Sequence, residues 1–140
     1  MKTLPLSVFF FFFFSIFGFC QDAENKSGHF HVVVSKFEYG INSEDSTTIW
    51  SDSTLSTTTI IDIFKDSLIY CTGNDFETFH FLSPLPTNHI DIKSYESINR
   101  LSKKLFVITY FTSDFDEKMM TVIIDTPKIS RNFYGSFLHD

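Results

Sequence analysis

Apolar and polar residues alternate with a period of two from residue 30 onward, the pattern of half-buried strands, and no segment sustains the three-to-four spacing of an amphipathic helix. The first alternating run covers residues 30–39 and is followed by a Gly, Asn, Ser, Glu and Asp-containing turn at 40–46. Residues 47–51 and 55–64 continue as strands, the second rich in Thr and Ile. Lys65-Asp66 reads as a tight hairpin connection to a strand at 67–72, and Gly73-Asn74 as a second reversal before a strand at 76–82. Pro84 and Pro86 interrupt pairing with the next run, 90–95, which predicts an edge-crossing connection and a change of strand order there. Residues 96–103 suit one helical turn. Two more runs, 104–112 and 118–125, flank a hairpin tip at 113–117, and the apolar tail 129–138 suits a last strand or a short cap.

Sequential hairpins of this kind predict an all-β, antiparallel meander of about seven strands, closed as a small barrel or folded as a sandwich. The first 20 residues have a different pattern. Residues 4–19 form roughly 16 uncharged residues, including the run Phe9 to Phe14, which is the length of a signal-peptide core and short of a spanning helix. Gly18 and Cys20 satisfy the small-residue rule for cleavage before Gln21; the competing reading acylates Cys20, but Phe19 occupies the position where that pathway expects a small residue. The organisation that follows is a signal peptide at 1–20, a polar lead-in at 21–28 and a single β domain at 29–140. Export to the periplasm or beyond the cell, with no transmembrane segment after cleavage, is the expected destination.

Charge narrows the partners. Removing Lys2 from the 11 basic residues leaves ten against 17 acidic, a net charge of −7 for the chain after the leader. An acidic chain with scattered cations is a poor ligand for nucleic acid, whose affinity depends on Lys and Arg displacing counterions. Cys71 is the only thiol beyond the leader, so no internal disulfide can form, and its place in a strand suits a small buried hydrophobe.

Candidate chemistry is sparse. His29 and His31 project from one strand face and offer two metal ligands, but the sequence supplies no third at a recognised zinc spacing. Asp114, Asp116 and Glu117 cluster in a turn too short for a calcium loop. Asp62 interrupts an apolar run, either facing solvent by alternation or buried as a perturbed acid. Asn25-Lys26-Ser27 is a glycosylation sequon only in a eukaryotic host. No nucleophile elbow, His-Glu-x-x-His or phosphate loop occurs, so neither catalytic residues, nor a metal site, nor a cofactor is expected.

The ending Ile16-Phe17-Gly18-Phe19-Cys20-Gln21 resembles leaders of one broad group of Gram-negative bacteria. Trp50-Ser51, Ile61-Asp62-Ile63 and the hairpin from Phe64 to Ile69 resemble, in layout, small exported all-β bacterial proteins of unknown function. Lipocalins are similar in size and strand count, although their Gly-x-Trp signature is missing. Two functions fit these readings: an exported non-catalytic domain that binds a protein or envelope component, or a carrier holding an apolar small molecule among Trp50, Tyr70, Phe79 and Phe81. A small hydrolase with an unrecognised acidic site is a third class.

Overall fold

A computed structural model describes residues 30–53, 57–113 and 118–139. Among these residues there are nine strands and no helix: β1 (Phe30–Asn42), β2 (Thr48–Ser53), β3 (Thr59–Ile63), β4 (Ser67–Thr72), β5 (Asp75–Pro84), β6 (Lys93–Asn99), β7 (Leu105–Thr112), β8 (Met119–Asp125) and β9 (Ile129–His139). Every pairing is antiparallel, and β9 returns to pair with β1 along eleven positions of register, closing an eight-stranded barrel. The extra strand arises because β2 and β3 share one edge of β1. Residues 37–42 of β1 pair with β2, whereas Phe30 to Val33 pair with β3. Closure leaves β1 with no exposed ladder over these stretches, which removes the edge that invites aggregation.

Alternation sorts side chains into the barrel and out of it. Val32, Ile61, Leu68, Phe79, Ile108, Val122 and Phe133 point inward and are fully buried. Two bulges keep that alternation intact. Ser35 is the unpaired extra residue between Val34 and Lys36, so Val34 and Phe37 both face inward. At the same level Gly135 lies so close to β1 that an added Cβ would fall within 2.9 Å of Val34 Cα. Gly73, at φ +57°, takes the first position of the β4–β5 turn, where a side chain would be strained.

The structure departs from the sequence-based expectations at two connections and at the strand count. The meander continues directly from β5 to β6, with no change of strand order at the prolines. Leu82 bulges out between Phe81 and Ser83, Pro84 ends the strand, and Leu85 N–H donates to Ser94 O at 2.8 Å. The helical turn expected at 96–103 is instead the end of β6 followed by a tight turn. Its inward positions carry Ser97 and Asn99, both buried, so polar residues disguised the strand. The tail is a full strand rather than a cap, which helps bring the count to nine. The hairpin tip at 114–117 lies outside the described residues.

Candidate functional site

The interior of the barrel changes character along its axis. Across the middle, Phe79, Phe133, Leu68 and Ile108 leave no exposed surface. Towards one end, which holds the β3–β4, β5–β6 and β7–β8 connections, the lining is aromatic. Phe81 stacks on Tyr95 at 4.4 Å, Tyr95 faces Tyr110 at 6.2 Å, and Phe30 meets both Tyr110 and the edge of Phe137 at 6.3 and 5.5 Å. Burial and the neighbouring Tyr95 push the Tyr110 hydroxyl well above the usual phenol range. At this end the inward rings pack on one another and each stays half-buried.

The opposite end, formed by the β1–β2, β4–β5, β6–β7 and β8–β9 turns, is polar inside and open. Arg131 occupies an inward position on β9, two residues from the buried Phe133, and its side chain retains 18% of its exposure. Its Nη1 donates to Glu77 Oε1 at 3.2 Å, and the guanidinium lies 5.8 Å from the Tyr70 ring centroid and 6.0 Å from that of Phe106. Glu77 Oε2 accepts from Asn99 Nδ2 at 3.1 Å, while Asn99 Oδ1 accepts from the backbone N–H groups of Leu101 and Ser102. A single buried Asn therefore ties the β6–β7 turn to the charged pair. Each carboxylate oxygen of Glu77 has a donor, which is what keeps a partly desolvated ion pair tolerable.

Two open cavities meet over this network, sharing Lys104, Phe106 and Arg131. One, of about 780 Å³, lies between the β4–β5 and β6–β7 turns and includes Asp75, Glu77, Asn99 and Arg100. The other, of about 630 Å³, lies between the start of β7 and the β8–β9 turn and includes Tyr39, Lys128 and Ile129. Both fall within the size range of small-molecule sites. Apolar side chains stand exposed around the same end: Leu101 at 93%, Ile49 at 70%, Ile41 at 55% and Leu105 at 54%. A third, smaller hollow of about 330 Å³ flanks the β5–β6 connection beside Pro84 and Tyr95.

Of the four residues singled out as a ligand lining, Tyr70, Phe79 and Phe81 share the barrel interior at different levels and Trp50 does not join them. Phe79 is fully buried in the middle, and Phe81 belongs to the aromatic end. Tyr70 lies beneath Arg131 and packs on Phe133 at 5.2 Å. Trp50 is outside the barrel: it pairs with Gly40, on the face opposite Tyr39, and a Cβ at Gly40 would meet the indole at 3.0 Å. The missing side chain at Gly40 is what lets the indole and the Thr48 methyl approach β1 so closely.

Asp62 also faces outward, where its Oδ1 lies 2.6 Å from His31 Nδ1 across the β1–β3 ladder. His29 lies outside the described residues, and among the described residues no three His, Cys, Asp or Glu side chains gather as a metal site. Cys71 is half-buried on the outer face of β4. Among the described residues no helix is long and apolar enough to cross a membrane.

Arg131, Glu77 and Asn99 escaped the sequence reading, but a signal was present. Arg131 shares the inward phase of Ile129 and Phe133, and Glu77 that of Phe79, so each puts a charge where alternation demands an apolar residue. No family model matches the chain, and neither a curated protein nor a solved structure matches it.

Proposed function

We propose that this protein is an exported, non-catalytic barrel that acts by binding an envelope component or a protein, and that the open end is its recognition surface. The observation that carries the reading is the contrast along the axis: the middle is filled and one end is lined by half-buried aromatic rings, while the other end sets two clefts and a charged network beside its exposed apolar tips. Exposed Leu101 and Ile49 beside polar groups are the composition of a contact surface, in which apolar tips supply area and fixed charges supply orientation. The leader supports export, and the net charge of −7 for the chain beyond it points away from nucleic acid.

The test is co-sedimentation of the purified protein with the envelope fraction of its host, compared with the Leu101→Asp/Ile49→Asp variant. These tips are exposed, so folding is unaffected. Retention of the parent and loss of the variant supports the reading; equal retention overturns it. A carrier of an apolar ligand inside the barrel is the competing function, and it would need room now taken by Phe79 and Phe133. A ligand mass released on denaturation of the native protein, with its removal leaving envelope retention unchanged, would favour the carrier.

A further inference from the structure

The cavity between β7 and the β8–β9 turn has a charge opposite to that of the chain. Lys104, Lys128 and Arg131 line it, and no Asp or Glu is among its lining residues, although the chain beyond the leader carries an excess of seven acidic groups. Among the described residues Lys104 and Lys128 make no ion pair. Arg131 commits one N–H to Glu77 at 3.2 Å, from a guanidinium that carries five. The ion pair and the rings of Tyr70 and Phe106 hold the guanidinium in place before any ligand arrives, which lowers the ordering cost of binding.

Apart from Thr126, the rest of the lining is apolar or aromatic, with Tyr39, Phe106, Ile124 and Ile129 prominent. The volume of about 630 Å³ is on the order of twenty times the ~30 Å³ share of one water, so a bare inorganic anion would leave most of it unfilled. Exposed Ile41 and Leu105 extend the apolar path from the cavity to the rim.

Resting on the open-end reading above, we infer that this cavity takes a single-chain anionic amphiphile. Its carboxylate or phosphate head is held by Lys104, Lys128 and Arg131, and its hydrocarbon lies over Tyr39, Phe106 and Ile129. The three cations supply charge-assisted hydrogen bonds to oxygen, and Arg131 presents the planar donor set that suits either head group. The amphiphile fits an envelope component better than a folded protein does, because the cleft admits a chain end and a head group but no folded segment.

The experiment is an NMR titration of the isotopically labelled protein with decanoate and with decyl phosphate, each below its micellar concentration, against decanol and decyltrimethylammonium. The expected result is saturable binding of one or both anions, with shifts centred on residues 39, 104–106 and 128–131. Comparing the two anions distinguishes a carboxylate from a phosphate head. The Lys104→Ala/Lys128→Ala variant alters exposed side chains and keeps the parent melting temperature, yet weakens the anion by about tenfold or more. Decanol binding as tightly as the anions, with shifts confined to the open end, overturns the charge assignment while leaving the open-end reading standing. Shifts at the aromatic end overturn both. No binding of either anion, or equal affinity for parent and variant, overturns the inference.

Discussion

The two ends of this barrel are built from the same strands and differ in how their inward side chains find partners. At the aromatic end Phe30, Phe81, Tyr95, Tyr110 and Phe137 meet ring against ring, a geometry worth about 0.5–1.5 kcal/mol per pair beyond simple burial. At the open end Arg131, Glu77 and Asn99 form a hydrogen-bonded chain with solvent on one side. The first arrangement completes itself. The second is held rigid yet leaves donors and apolar rims facing outward. An inward charge at the end of a filled barrel contributes little to the core, and its value lies in the surface it prepares.

The largest expected effect concerns the filled middle that separates the two ends. Phe133 is fully buried between Phe37 and Tyr70, so Phe133→Ala should cost about 3–5 kcal/mol in urea unfolding. A cost below about 1 kcal/mol would mean that the middle is not a packed partition. Next comes the aromatic end. Phe81→Ala removes the stack on Tyr95 from a half-buried position, and the expected loss is about 2 kcal/mol, with binding at the open end unchanged. If binding is lost in proportion to stability, the two ends are not independent.

A smaller effect is expected at the open end. Glu77→Gln removes the charge that fixes Arg131, but both side chains retain solvent contact, at 38% and 18% exposure, and screening discounts the pair. The predicted loss is about 1 kcal/mol or less, with a coupling to Arg131→Gln visible in a double-mutant cycle. Coupling energies of several kcal/mol would instead make the pair a core element.

The smallest effect is a pH dependence at Asp125, beside the β8–β9 turn. Burial raises its carboxyl above the ordinary 3.8, although the Ser130 hydroxyl donates to it. The folded state therefore binds the proton more tightly, and this group's contribution to stability falls as pH rises from 3.8 through the raised folded value. Asp125→Asn should be slightly more stable than the parent at neutral pH, by a few tenths of a kcal/mol, and equal to it below the window. Thermal melts at both pH values check the sign; a variant less stable at neutral pH would show that the carboxylate is favoured when ionised.

Legibility followed the same divide. Where inward residues are apolar, as in Ile61 and Ile63 of β3 or Val122 and Ile124 of β8, alternation alone located the strand. Gly73 marked its turn because only a residue free of a Cβ takes that backbone without strain. Where the inward face turns polar the pattern failed: Ser97 and Asn99 made β6 resemble a helical turn, and Arg131 and Glu77 passed without notice inside their strands. Pro84 misled because the ladder to β6 continues past it, through the Leu85 N–H that donates to Ser94 O. Closure itself depends on long-range pairing of β1 with β9 and on β2 and β3 sharing one edge, neither of which leaves a local trace. The candidate site thus stayed hidden in the residues that broke the alternation.

Hydrogen exchange of the protein, alone and with a detergent extract of its host's envelope, tests most directly whether recognition is confined to the open end. The account predicts added protection at the turns 42–48, 99–105 and 125–129, with exchange at 64–66 and 85–92 unchanged. Protection centred on the latter connections, or on the mid-strand positions of β4 and β5, would contradict it.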